Sequence, residues 1–339
     1  MPGPARSGEA FAWPTVGGMR PSLAVVTALA LLEGCASPDI PTRTQTPATT
    51  AASSASPGTD GSTLTTPSPT PEPPAELPRG GREIFPRYRL FGYSGSPGAP
   101  GQGRLGIGDL DDRMVEMESR GKPFTGGREL LPVMELIAVT VHGVPGADGM
   151  YRTRVRDSVI AEWLAMAREH KAILLLNIQP GRADFIDEVR YLEKWLSEPD
   201  VGVALDPEWA VEPGQIPGRV FGRTTGAELN ECAAYLADLV AEHNLPEKVM
   251  VYHQLHLDIV RNESSLKQHD GVVLVKSIDG IGSPGAKVAT WTRIVAATPA
   301  GVHLGFKLFY LEDVERGGRL MTAREVLALT PRPEYVLFE

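Results

Sequence analysis

Eight short, strongly apolar segments lie at intervals between residues 88 and 338, and longer amphipathic stretches separate them. Several of these segments are continuous apolar runs rather than alternations, which is typical of parallel strands covered on both faces. We predict strands at residues 88–93, 133–140, 172–178, 201–206, 249–253, 271–276, 302–308 and 335–338. Parallel strands in series need crossover connections, so the pattern constrains this part of the chain to an α/β fold.

Helical patterns fill most of the crossovers between the apolar segments. They predict helices at residues 154–170, 183–196, 225–243, 287–296 and 322–329. The third helix opens at Thr225, and Glu228 follows at the spacing of a capping box. Eight such units favour closure into a (β/α)8 TIM-like barrel, a fold that typically takes about 250 residues.

Two features of the predicted barrel stay open at this point. The eighth helix is expected to be missing, with residues 79–87 crossing either that gap or the floor of the barrel. An open, doubly wound sheet is the alternative architecture, although no G-x-G-x-x-G dinucleotide motif follows the first strand.

The first 35 residues predict an export signal rather than part of the fold. Arg20 precedes an apolar run, residues 23–32, that is too short to span a bilayer. The sequence Leu-Glu-Gly-Cys, ending at Cys35, resembles a lipobox, in which the cysteine is lipidated. We therefore predict an extracytoplasmic bacterial lipoprotein, anchored to the cell membrane through Cys35. Ordinary signal cleavage is the alternative.

Residues 36–81 are rich in Ser, Thr and Pro, and such a composition predicts a disordered tether. A single folded domain is then expected over residues 82–339. The chain has 2 Cys, and Cys232, in a predicted helix, is expected to be a small buried side chain. The net charge of −9 and the absence of a basic stripe argue against a nucleic-acid partner.

The sharpest chemical signal is Asp206-Pro207-Glu208-Trp209, which closes the fourth predicted strand. In barrels of this kind, reactive side chains collect at the C-terminal ends of the strands. On an extended chain, Asp206 and Glu208 would point to the same side. Two adjacent carboxylates do not both ionise easily, so the pKa of one rises, as a general acid requires. Trp209 offers a flat face suited to a sugar ring, whereas a solvated turn is the non-functional interpretation.

An Asp-x-Glu sequence at the end of strand 4 of a barrel resembles the chitinase-like and muramidase-like glycoside hydrolases. The resemblance implies that Glu208 is the proton donor and that Asp206 is its supporting carboxylate. Residues 201–204 are apolar where the chitinase pattern has further Asp residues. Tyr93 and Ser94 stand where the muramidase pattern has an Asp. The resemblance therefore leaves the nucleophile unidentified.

Polar residues at other strand ends complete the candidate site. Asp279 is a candidate third catalytic carboxylate, although an Asp-Gly turn would also explain it. His253 could orient a carboxylate, shuttle a proton, bind a metal or be an ordinary core histidine. Lys307 lies within an apolar strand and must pair with an acid or extend to solvent. The residues predicted to contact substrate are Tyr93, Gln179, Trp209, His253, Gln254 and Lys307.

A charged residue within an apolar run and two long loops are further features of the sequence. Glu135 lies within an apolar run and is expected to pair with a cation low in the barrel. The segments 95–108 and 209–223 are long for connectors, and long loops in compact domains are commonly functional.

Three functions are compatible with these residues. The first is a glycoside hydrolase acting on cell-wall or extracellular polysaccharide, with no cofactor or metal expected. The second is a non-catalytic carbohydrate-binding or scaffold lipoprotein. The third is a metal-dependent hydrolase using Asp206, Glu208, His253 and Asp279, which no H-x-H or H-E-x-x-H signature supports.

Overall fold

Eight parallel strands close into a barrel in the computed structural model, which describes residues 74–315 and 318–339. The strands are β1 Tyr88–Gly95, β2 Glu129–Val141, β3 Ile173–Ile178, β4 Val201–Leu205, β5 Lys248–Gln254, β6 Val272–Ile278, β7 His303–Leu308 and β8 Tyr335–Phe338. Strand β1 pairs with both β2 and β8, which closes the sheet. The predicted barrel is confirmed, and the open-sheet alternative is wrong.

The helices lie between the strands in sequence and cover the outside of the barrel. They are α1 Leu110–Gly121, α2 Asp157–Glu169, α3 Phe185–Tyr191, α4 Glu193–Leu196, α5 Gly226–Glu242, α6 Pro284–Val295 and α7 Ala323–Leu327. All five predicted helices are present, with residues 183–196 divided between α3 and α4. The capping box of α5 forms as predicted between Thr225 and Glu228. Helix α1 was not predicted.

The strands alternate strictly between two apolar environments, because successive side chains on a strand point to opposite faces. Leu90, Val133 and Leu175 face the barrel interior, where they pack with Val251 and Leu337. The neighbouring residues on each strand face outward and form the larger core between the sheet and the helices. The sequence periodicity therefore determines which polar residues can reach the centre of the barrel.

The segment before β1 seals the floor, which is the N-terminal end of the barrel. Leu77 and Ile84 are 3% and 0% exposed and pack into the interior apolar cluster. Of the two courses considered for residues 79–87, the buried Ile84 supports the one across the floor. Leu77, within the predicted tether of residues 36–81, is already part of this core, so we propose that the domain begins at or before this residue.

The predicted export signal, Cys35 and residues 36–73 of the predicted tether lie outside the described residues. In the part of the chain that is described, no helix has the length and hydropathy needed to cross a membrane. Cys232 is fully buried in α5, and burial raises the pKa of its thiol to about 12. It is the small buried side chain that the sequence predicts.

Candidate functional site

A layer of polar side chains lies above the apolar interior, at the C-terminal end of the barrel. Each strand, or the residue that follows it, contributes one member. We call this set the polar layer: Ser94, Glu135, Asn177, Asp206, His253, Ser277, Lys307 and Glu339, with Asp279 two residues beyond Ser277. Apart from Glu339, all of these are less than 9% exposed. Burial of so many polar groups is costly unless they pair with one another.

His253 is the centre of the polar layer. Its Nδ1 lies 2.8 Å from Oδ2 of Asp279 in a hydrogen bond. On the other side of the ring, Nε2 lies 3.1 Å from Oε1 of Glu135 and 3.7 Å from Oδ1 of Asp206. These two contacts are ion pairs without hydrogen-bond geometry. The imidazole therefore lies between three carboxylates from three strands.

Lys307 is the second cation of the polar layer. Its Nζ lies 2.7 Å from Oε2 of Glu339 and 3.4 Å from Oδ2 of Asp279. Ser94 donates a hydrogen bond of 3.1 Å to the same Glu339 oxygen. The prediction that Lys307 pairs with an acid is confirmed. Because Asp279 also contacts His253, both cations hold the same carboxylate.

The Asp206–Glu208 pair sits at the mouth of the barrel, directly after β4. The sequence predicted an extended chain there. The chain instead turns into a 3-10 helix at Pro207–Trp209. Asp206 is buried and accepts hydrogen bonds from Asn177 at 3.0 Å and from Gln179 at 3.2 Å. Glu208 is partly exposed, while its Oε2 is buried without a hydrogen-bond partner.

The environment shifts the pKa values of this pair upward. Burial, followed by the charges of Asp206 and Asp279, raises the pKa of Glu208 well above its usual value. Burial also raises the pKa of Asp206, although His253 and Lys307 oppose the shift. Glu208 is therefore the carboxyl group best placed to hold a proton near neutral pH.

The groups around His253 shift in the opposite direction, towards their charged forms. Burial alone would lower the pKa of His253, but Asp279, Glu135 and Asp206 raise it well above the usual value. Burial would likewise raise the pKa of Asp279, but His253 and Lys307 hold it below its usual range. Burial would also raise the pKa of Glu135, but His253, together with Lys307 and the Tyr335 hydroxyl, lowers it below its usual value. The polar layer thus contains ionised pairs, and Glu208, whose raised pKa favours its neutral form, lies beside it.

Two predicted substrate contacts do not reach the polar layer. Tyr93 is fully buried on the outer face of β1, where its hydroxyl donates to Glu116 at 3.0 Å and accepts from Tyr310. Gln254 points away from His253 by the alternation of β5, and its amide donates to the carbonyl of Leu257. Neither position supports the predicted contact, because both side chains are on the wrong face of their strands.

The remaining predicted residues come together around Asp206. Gln179 bridges two elements, since its Nε2 donates to Asp206 and its Oε1 accepts from the backbone of Val141. Trp209 is partly exposed in the turn beside Glu208. The backbone carbonyl of Glu208 accepts a hydrogen bond of 2.6 Å from Gly222, so the loop that follows β4 returns to fix this turn.

The structure adds residues that sequence reasoning did not place in the candidate site. Glu135 lies in the polar layer rather than low in the barrel, and it accepts hydrogen bonds from Asn177 and from the hydroxyl of Tyr335. The Tyr335 ring fits because Gly92 has no side chain, and a Cβ there would lie 3.2 Å from the Tyr335 hydroxyl. The available signal for Glu135 was a charged residue within an otherwise apolar strand.

The segments that follow β6 and β7 are tied together by a buried ion pair. Lys287 of α6 lies 2.9 Å from Asp313, and it also donates to the carbonyl of Gly280. Asp313 in turn accepts hydrogen bonds of 3.0 Å from the backbone of Gly282 and of Phe309. These contacts hold the ends of β6 and β7 at a fixed separation.

A metal site was one of the alternatives raised by the sequence. Within residues 74–315 and 318–339, no group of three or more His, Cys, Asp or Glu side chains is arranged to hold a metal ion. Two of the carboxylates that this alternative named as ligands are paired with cations, Asp206 with His253 and Asp279 with both His253 and Lys307.

The chain resembles several solved structures at low sequence identity. An oxaloacetate acetylhydrolase in complex with the product oxalate has a TM-score of 0.40 and 13% identity, over 74% of this chain and 75% of that one. The spore cortex-lytic enzyme SleL of Bacillus megaterium QM B1551 has a TM-score of 0.35 and 9% identity, over 73% of this chain and 58% of that one. At such identities the likeness concerns the fold alone. No protein-family pattern and no curated protein sequence matches the chain.

Proposed function

We propose that this barrel is a glycoside hydrolase in which Glu208 is the general acid and Asp206 its supporting carboxylate. One observation carries the proposal, namely a partly exposed carboxyl group at the mouth of the barrel whose pKa is raised well above its usual value. Glycoside hydrolysis requires such a group, because the leaving sugar oxygen must be protonated as its bond to the anomeric carbon breaks.

The carboxylates below Glu208 suit the second requirement of this reaction. The transition state is oxocarbenium-like, so positive charge develops on the sugar ring. Asp206 and Asp279 both act electrostatically on Glu208, which places two negative groups within range of a sugar bound there. Such fixed charges, aimed at a developing opposite charge, stabilise the transition state more than the ground state.

His253 and Lys307 have a positioning role in this proposal. They hold Asp279 in its charged form, while Asn177 and Gln179 fix the orientation of Asp206. Each oxygen of Asp206 and of Asp279 is occupied by at least one of these partners or by Ser277. Both carboxylates are therefore held rather than free to swing, which favours electrostatic roles for them.

Substitution Glu208→Gln tests the proposal. General acid catalysis contributes roughly 10²- to 10⁴-fold, so we expect kcat to fall by at least about 100-fold. The measurement is release of reducing sugar from purified peptidoglycan and from chitin oligosaccharides. Glu212→Gln is a matched control, because Glu212 is an exposed acid in the loop after Trp209. Equal activity of the Glu208→Gln and Glu212→Gln variants would refute the assignment.

A non-catalytic carbohydrate-binding protein is the second candidate function. The observation that favours it is that the charged groups of the polar layer pair with one another. Glu208, beside them, is the acid that has a buried oxygen without a hydrogen-bond partner. In that case neither glycan would be cleaved by the native protein, whereas oligosaccharide would still bind. Isothermal titration with chitin oligosaccharides separates the two functions.

The cellular setting is proposed on the N-terminal sequence alone. A lipidated Cys35 would hold the barrel on the outer side of the cell membrane, within reach of wall or extracellular polysaccharide. Incorporation of labelled palmitate into the native chain, and its loss in Cys35→Ala, is the corresponding test.

A further inference from the structure

A pocket lies at the N-terminal end of the barrel, opposite the polar layer. It has a volume of about 640 Å³ and opens beside the first residues of β1, β2 and β8. We call it the arginine pocket, because three guanidinium groups line it. Its lining consists of Arg89, Gly126, Arg128, Leu327, Ala328, Leu329, Thr330, Pro331, Arg332 and Glu334.

Two of these guanidinium groups converge on one small space. Arg89 is only 2% exposed; its Nε donates to the carbonyl of Thr125 and its Nη1 to that of Pro333. Arg332 is anchored through its Nε, which donates to the carbonyl of Leu327 at 2.9 Å. A Cβ on Gly126 would lie 3.5 Å from both Arg89 Nη2 and Arg332 Nη1. Each arginine is thus held by hydrogen bonds to backbone carbonyls, and one remaining nitrogen of each lies beside Gly126.

The charge in the arginine pocket is unbalanced. Arg128 forms an ion pair of 2.5 Å with Glu334, and Glu334 also accepts from His303. Neither Arg89 nor Arg332 has a carboxylate partner within the described part of the chain. Burial, followed by the nearby charges of Arg128 and Arg332, lowers the pKa of Arg89 to about 10. Two cations therefore lie close together in a pocket of a protein whose net charge is −9.

We propose that the arginine pocket binds a phosphate group, with Arg89 Nη2 and Arg332 Nη1 as donors to its oxygens. A phosphate carries a charge of about −1.5 to −2 near neutral pH, which matches two unpaired guanidinium groups. Guanidinium groups are suited to oxyanions because their donors form a rigid fork. Because Gly126 has no side chain, the space beside these two nitrogens stays open to an anion.

This binding site is independent of the proposed glycosidase activity. The arginine pocket and Glu208 lie at opposite ends of the strands, and the two sites have no residue in common. The volume is larger than inorganic phosphate needs, so the phosphate group can be free or carried by an organic molecule. An organic phosphate would place its carrier against Leu327 and Leu329, whereas free phosphate would place no further group there.

Isothermal titration calorimetry on the native chain at pH 7.5 tests the proposal. The probes are inorganic phosphate and glycerol 3-phosphate, with acetate at equal ionic strength as the monovalent comparison. We expect saturable 1:1 binding of at least one phosphate probe. Arg332→Gln should weaken it about tenfold or more, because a charged hydrogen bond is lost while the amide can still reach Leu327. Arg324 is an exposed arginine of α7 that does not line the pocket, so Arg324→Gln should bind like the native chain.

The possible results separate clearly. Binding of inorganic phosphate alone supports a free phosphate ligand, and tighter binding of the ester supports a phosphate on an organic carrier. No saturable binding of either probe, equal affinity in Arg332→Gln and the native chain, or equal affinity for acetate would each overturn the proposal. Arg89→Lys gives a further test if it folds. Arg332 is exposed, so its variant remains informative in either case.

Discussion

The raised pKa of Glu208 lowers the stability of the folded protein, although it suits the proposed catalytic role. A carboxyl group whose pKa is higher in the folded state than in the unfolded state binds more protons when folded. It therefore destabilises the protein as pH rises from its unfolded pKa, about 4.3, towards its folded pKa. For Glu208 the cause is burial next to Asp206 and Asp279. Such strain is common where activity needs a perturbed group.

Replacing Glu208 by Gln should therefore stabilise the protein at neutral pH while removing activity. Each unit of pKa difference is worth about 1.4 kcal/mol, and the part-exposed side chain reduces this, so we expect a gain of roughly 1 kcal/mol or more at pH 7. At pH 4, where Glu208 is mostly protonated in both states, the gain should be small. Urea unfolding at both pH values measures it. A variant that is no more stable than Glu212→Gln at pH 7 would contradict the raised pKa.

For single residues, the sequence predicts which ones lie near the site better than it predicts the strand face to which each side chain points. His253 and Gln254 are adjacent and both close β5, yet only His253 points inward. Tyr93 and Ser94 repeat this at the end of β1. Near-continuous apolar runs, expected for strands covered on both faces, do not show which face is the interior. That choice depends on register and closure, which no short segment contains.

At the scale of elements, strands and most helices could be read from the sequence, whereas α1 could not. Its apolar positions are few: Leu110, Met114 and Met117 form a narrow stripe among charged residues. It follows a Gly- and Pro-rich loop that suggests a long irregular connection. The available signal was Asp109, which accepts hydrogen bonds from the backbone of Asp111 and Asp112 at the start of the helix.

Asp109→Ala should measure what this cap contributes to α1. Loss of an N-cap side chain typically costs about 1 kcal/mol, because one or two backbone donors lose their acceptor. Helix α1 packs Met114 and Met117 onto the barrel, so the cost should appear in global urea unfolding. Ser119→Ala, at an exposed position of the same helix, should change stability by less than about 0.5 kcal/mol. Equal stability of the two variants would show that α1 does not depend on its cap.

At the scale of the whole molecule, the polar layer exists only because the sheet closes. Glu339 follows β8 and meets Ser94 of β1 across the closure, a contact between residues at the two ends of the barrel sequence. His253 brings together carboxylates from β2, β4 and the end of β6. The sequence could predict a barrel and its acidic strand ends, but these pairings depend on the three-dimensional order of the strands.

The floor of the barrel is the other feature that depends on the whole fold. Arg79 donates to the carbonyls of Leu130 and Lys171 and lies 2.5 Å from Glu118, so it links α1, the start of β2 and the turn before β3. The buried Tyr88 hydroxyl donates to the carbonyls of residues 79 and 80. Residues 77–81 thus satisfy groups from several elements, although they fall within the predicted tether.

A chain that begins at residue 82 should therefore be less stable than one that begins at residue 74. Losing buried Leu77 exposes the apolar floor, and losing the Arg79 side chain leaves Glu118 without its ion pair. Losing the carbonyls of residues 79 and 80 leaves the Tyr88 hydroxyl without acceptors. We expect a loss of roughly 3 kcal/mol or more, since a Leu→Ala substitution alone costs about 2–5 kcal/mol in a core. Urea unfolding of both chains, with Leu77→Ala in the longer one, separates the two contributions. Equal midpoints would mean that the floor closes without this segment, and the domain would then begin where the composition changes, at residue 82.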